Sequence, residues 1–174
     1  MKKTLITILA TVLVCCFAVG GTLAWLIDST DSVENTFTVG KVDIELTETT
    51  GSEYKMIPGT THAKDPTVTV KGGSEKCYLF VKVVATDNGS NLIEYTVDSN
   101  WQELTGVTNV YYQEVDASDA DQAFAVLKNN QVKISETNVT SETTVTPKLA
   151  ITAYAVQFEN MADAKDAWTK AGFN

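Results

Sequence analysis

Catalysis at neutral pH needs a nucleophile, a base or a metal ligand, and this chain is poor in all three. Its 174 residues include one histidine and three cysteines. The histidine is His62, so an HExxH-type zinc site, which needs two histidines one helical turn apart, is excluded. A Ser/His/Asp triad would also have to use His62, and no nucleophile-elbow motif accompanies it. Cys77 sits in strand-type alternation and reads as a small packed hydrophobe. A zinc ion shared by His62, Cys77 and carboxylates is conceivable, but zinc ligation is specific, and a loop histidine and a strand cysteine with nothing between them is the plainer reading. Asp116, Asp119 and Asp121 could gather around calcium. Their spacing lacks the glycine and the distal glutamate of an EF-hand loop, so a solvated acidic loop is expected instead. No Gly-rich phosphate loop is present. Asn138-Val139-Thr140 matches a glycosylation sequon, which means little in a bacterial protein. The expectation is a non-enzyme with no catalytic residue, no metal and no cofactor.

Composition narrows the partners. Formal net charge is −9, with 13 basic and 22 acidic residues and no arginine. Such an acidic chain, without a basic stripe, is a poor candidate for nucleic acid or anionic lipid. Two of the three cysteines, Cys15 and Cys16, precede residue 25, so a chain cut there keeps only Cys77 and cannot form an internal disulfide. Export without disulfides suits a bacterial secreted protein.

The first 24 residues are ordered as a secretory signal peptide with a helical apolar region. Lys2 and Lys3 form a short positive region, Leu5 to Val19 is apolar apart from Thr7 and Thr11, and Gly20-Gly21 breaks the run. Thr22 and Ala24 place small residues at −3 and −1 of a cut before Trp25. The rival reading is a retained anchor, because no charge occurs from Thr4 to Ile27, a length that spans a bilayer. Membrane contact is expected only through the uncleaved leader. The chain ends at Asn174 without a sorting motif, so covalent wall attachment is not expected.

Beyond the leader, residues 25–34 read as a flexible N-terminal arm and residues 35–174 as a single domain. Val42, Ile44 and Leu46 alternate after a phase slip at Gly40-Lys41, which suggests a bulge following Phe37 and Val39. Thr67 to Lys71 alternates through Val68 and Val70, and Gly72-Gly73-Ser74 reads as a hairpin connection to the next strand. Cys77 to Ala85 is the strongest strand and is apolar on both faces. Leu92 to Val97, Val107 to Val115, Val132 to Ile134 and Lys148 to Phe158 are further strands. Asp116 to Asn130 is either a short helix or a loop feeding a strand, and Ser135 to Thr146 an exposed connection or edge strand. Asn160 is positioned to cap a short C-terminal helix ended by Gly172. About eight short strands predict an all-β, antiparallel, jelly-roll-like sandwich.

Gly20-Gly21-Thr22-Leu23-Ala24-Trp25 at the cut, Asn35 to Ile44, Pro58-Gly59, Val68-Thr69-Val70, Gly73-Ser74, Tyr78 to Val83, and the late strand Ala150 to Gln157 form one set of segments. Together they resemble the TasA/camelysin family of secreted Gram-positive proteins. Between residues 86 and 147 nothing matches. The resemblance implies processing by a dedicated signal peptidase and a jelly-roll subunit of extracellular biofilm-matrix fibres. It implies self-association, and contact with other matrix proteins, through an N-terminal arm that completes a neighbour's sheet. Trp25, Leu26 and Ile27 would be its anchors, because an exposed apolar cluster tends to mark an interface. Camelysin-like relatives are also described as metallopeptidases, an activity for which this chain supplies no recognisable zinc ligands. A non-polymerising surface-binding module is the remaining alternative.

Overall fold

The structure is a computed structural model that describes residues 40–51 and 54–173. The chain divides into two compact units, Met1–Thr38 and Val39–Asn174, and every described residue lies in the second. The expected leader, arm and cleavage junction, with Phe37 and Val39, lie outside the described residues.

Among the described residues, ten strands form three antiparallel sheets. They are β1 (Ile44–Thr47), β2 (Thr61–Ala63), β3 (Thr67–Val70), β4 (Cys77–Thr86), β5 (Ile93–Glu94), β6 (Gln102–Glu103), β7 (Val110–Val115), β8 (Gln122–Ala125), β9 (Gln131–Ile134) and β10 (Lys148–Gln157). The sheet orders are β1-β3-β8, β10-β4-β7-β6 and β2-β9-β5. Two short helices, α1 (Gly89–Leu92) and α2 (Ala164–Lys170), complete the described elements, with one 3-10 turn at Lys128–Asn130. The antiparallel, all-β expectation holds.

One core joins the three sheets. Val68 and Val70 of β3, Cys77, Leu79, Val81 and Val83 of β4, Val115 of β7 and Val132 of β9 are buried in a single cluster. The odd residues of β4 face this cluster because successive side chains of a strand point to opposite faces. The even residues Tyr78 and Phe80 face the other way, into a second cluster with Leu104, Val110 and Trp168 of α2. Phe80 and Trp168 meet edge to face with ring centroids 5.3 Å apart. Each buried aromatic of this kind contributes on the order of 2–3 kcal/mol through apolar burial. β4 is therefore covered on both faces, as its sequence requires.

Three expectations need correcting. The Gly72-Gly73-Ser74 turn is not a hairpin: β3 pairs with β1 and β8, whereas β4 pairs with β10 and β7. The turn instead carries the chain from one sheet to the other. Gly72 is required there, because a Cβ would lie 2.3 Å from the backbone oxygen of Asp119. The second correction concerns the last helix, whose cap is Asp163 and not Asn160; the Asp163 side chain accepts from the Asp166 N–H at 2.8 Å. Asn160 has φ +64° and turns the chain three residues earlier. Third, Asp116 to Asn130 contains a strand, β8, and Leu92 to Val97 shortens to β5 plus an isolated bridge between Val97 and Leu127.

Candidate functional site

Most of the described residues picked out for chemistry make structural contacts instead. His62 lies on β2, not in a loop, and its Nε2 is 3.1 Å from both the Thr60 hydroxyl and the Lys55 carbonyl oxygen. Cys77 is fully buried in the main core, and burial pushes its thiol up to about 11, away from the reactive thiolate. The three aspartates do not converge on a common point. Asp116 pairs with Lys76 at 3.1 Å, and Asp121 accepts from the Gly72 N–H at 2.8 Å and from Lys71 at 3.3 Å. The lysines on either side of the Gly72 turn thus hold the acidic loop against it, and the carboxylates around them raise both ammonium pKa values. Among the described residues no three His, Cys, Asp or Glu side chains stand where they could share a metal ion. Asn138 donates to the Asn91 carbonyl oxygen at 2.8 Å, and its neighbour Val139 is buried. Thr22, Ala24, Trp25, Leu26 and Ile27 lie outside the described residues.

What remains is an edge. β10 is ten residues long and ends its sheet. Its ladder places Ala153 opposite Val81, and the same register continues to a hydrogen bond from the Phe158 N–H to the Lys76 carbonyl. In an antiparallel pair the hydrogen-bonded positions alternate. The even residues of β10 therefore bond to β4, and the N–H and C=O groups of Leu149, Ile151, Ala153, Ala155 and Gln157 point outward. On the far side of β4 the bond from the Val83 N–H to Asn109 gives the complementary parity. Among the described residues nothing pairs with this outer row. The side chains of Leu149, Ile151, Ala153 and Ala155 pack against the main core from the same positions.

β1 presents a second such row. The bond from the Lys71 N–H to the Asp43 carbonyl turns the odd residues of β1 toward β3, which leaves the backbone of Ile44 and Leu46 facing away. A groove lies at each end of β10. One, of about 500 Å³, is lined by residues that include Val42, Val156 and Phe173. The other, of about 610 Å³, is lined by residues that include Met56, Ile134 and Leu149, with the Lys64–Glu48 pair at 2.8 Å on its wall. The exposed large hydrophobics Leu46, Ile57 and Val145 each stand within two residues of a side chain lining this second groove.

Sequence reasoning found β10 but not its edge. Comparison of the chain with family models, with curated proteins and with solved structures returned no match.

Proposed function

We propose that the chain is a secreted, jelly-roll-like structural subunit of extracellular fibres, assembled by adding the N-terminal arm of one copy to the outer edge of β10 in the next. The observation that supports this reading is the outward row of backbone groups from Leu149 to Gln157 on a ten-residue edge strand. A long edge strand with unpaired backbone groups is a template for another strand. Main-chain bonds to it supply affinity, and side-chain pockets supply specificity. The segments quoted above as resembling the TasA/camelysin family point the same way, as does the leader ending at Ala24. The fibre reading needs no enzyme chemistry.

The test is N-terminal sequencing of the secreted protein followed by electron microscopy of the same sample. The expected result is a chain beginning at Trp25 that forms filaments, with a chain lacking residues 25–31 forming none. If the shortened chain polymerises equally well, strand addition by the arm is wrong. Filaments of the uncleaved chain would remove the idea that cleavage releases the arm.

A further inference from the structure

The groove of about 610 Å³ has the size of a small-molecule site. Val132 and Ile134, two positions apart on β9, present one face to it. Ile93, which pairs with Ile134, stands beside them on β5, and Met56 and Leu149 also line the groove. An ion pair interrupts this apolar lining. Lys64 is only 8% exposed, and its ammonium donates to the two Glu48 carboxylate oxygens at 2.8 and 2.9 Å. The Tyr54 ring lies under the ammonium, with its centroid 5.9 Å away. The Tyr54 hydroxyl donates to the Gly51 carbonyl oxygen at 2.7 Å and to Glu48 at 3.3 Å.

The pair is neutral as a whole but not saturated. A lysine ammonium has three protons to donate, and a carboxylate has about four lone-pair sites. Among the described residues only the two Glu48 oxygens accept from the Lys64 ammonium, so a proton is left over. Glu48 accepts from Lys64 and Tyr54 and keeps a lone-pair site. A buried ammonium is offset only when its donors are met. The wall therefore offers one donor and one acceptor, side by side, to whatever occupies the groove. An anionic head would meet the Glu48 carboxylate in a chain of net charge −9. A cationic head would meet the Lys64 ammonium. A hydroxyl suits both partners, because its oxygen accepts from Lys64 while its proton is donated to Glu48.

We propose that this groove binds a small uncharged molecule with an apolar chain and one hydroxyl, of the fatty-alcohol class. The hydroxyl lies against the Lys64–Glu48 pair, and the chain lies over Met56, Ile93 and Ile134. The Lys64 N–H bonds to the Asn130 carbonyl at 2.8 Å, which places Lys64 at one end of β9, with Ile134 at the other. Four residues of strand separate these ends by about 13 Å. A chain of about eight carbons, advancing about 1.25 Å for each 1.52 Å bond, spans about 10 Å and fits between them. The surface around the mouth agrees with an apolar visitor. Leu46, Ile57 and Val145, the exposed large hydrophobics among the described residues, all stand near the lining in sequence. Clustered apolar surface of this kind tends to mark a binding site. Binding here does not depend on self-assembly.

Titration calorimetry of the secreted chain tests the site with n-octanol, octanoate and octylammonium, which share a chain and differ in head group. Saturable one-to-one binding of n-octanol is expected, with a Kd about tenfold below that of either ion. An ion that binds as tightly as the alcohol overturns the assigned head group, and no saturable binding by any of the three overturns the site. Thr146→Trp narrows the groove from an exposed position. It is expected to weaken n-octanol about tenfold with unchanged circular dichroism. Undiminished binding would place the alcohol elsewhere. The double variant Lys64→Met with Glu48→Leu removes the pair without leaving a buried charge alone. Its affinity for n-octanol is expected to fall about fivefold through the lost hydrogen bonds, and an unchanged affinity overturns the role of the pair.

Discussion

Ala153 stands directly opposite Val81 in the β10–β4 ladder, yet its N–H and C=O point away from that strand. Its neighbour Thr152, opposite Lys82, points its backbone inward. Proline removes an N–H and is tolerated in a strand only where that N–H faces outward. Ala153→Pro is therefore expected to leave thermal unfolding within a few degrees of the parent while abolishing filaments. Thr152→Pro, by contrast, is expected to cost at least about 1 kcal/mol of stability through the lost ladder bond. Thermal melts and electron microscopy of the two variants check this, and equal assembly by Ala153→Pro would count against the β10 edge as acceptor.

Gln113 offers a stability test away from the edge. It lies opposite Leu79 in the β4–β7 ladder, is 8% exposed, and its Nε2 has no hydrogen-bond partner among the described residues. A buried donor left unmet costs about 1–3 kcal/mol, and an apolar group of similar shape removes that cost. Gln113→Met should raise the denaturant midpoint by an amount corresponding to about 1 kcal/mol. A lower midpoint would mean that the amide is satisfied.

Asp65 predicts a pH dependence. Its carboxylate accepts from the Thr49 N–H at 2.9 Å, the Thr50 N–H at 3.0 Å, the Thr50 hydroxyl at 2.8 Å and the Thr49 hydroxyl. These bonds, the Thr49 hydroxyl's foremost, hold its pKa well below the ordinary carboxylate range. A group whose folded pKa is lowered stabilises the fold above its unfolded value, about 3.9, and loses that contribution as pH falls through the folded pKa. Melting temperature should therefore fall more steeply below pH 4 in the parent than in Asp65→Asn. Parallel curves would show that the cluster contributes nothing.

The cap of α2 gives a fourth prediction. Asp163→Ala removes the acceptor of the Asp166 N–H, at a cost of about 1 kcal/mol. Trp168, which packs edge-on against Phe80 and Tyr154, should then emit at longer wavelength well below the global transition. Emission unchanged until global unfolding would show that the helix does not depend on its cap.

The long elements could be read in the sequence because their patterns are strong. Val68 and Val70 alternate in β3, Cys77 to Val83 is apolar on both faces, and Lys148 to Phe158 carries an uninterrupted strand pattern. The short strands could not. Gln102–Glu103 and Gln122–Ala125 carry no period of their own, and they are strands only because β7 and β3 lie beside them. Gly72-Gly73-Ser74 carries the same turn chemistry whether it joins two strands of one sheet or two sheets, so its role depended on distant pairing. Asn160 and Asp163 are both competent caps, and the left-handed turn at Asn160 decided between them. The candidate site was the least legible part. An edge is defined by the strand that is not there, and no local pattern records it.

The opposite margin of the same sheet gives the β10 edge its meaning. There the sheet ends in β6, only two residues long, a stub too short to recruit a full strand. Each molecule thus carries one receptive margin on this sheet and one blunt one. Under the proposed strand addition, this sheet would offer a single acceptor. Growth on this sheet would be linear and directional, and branching would need a different surface.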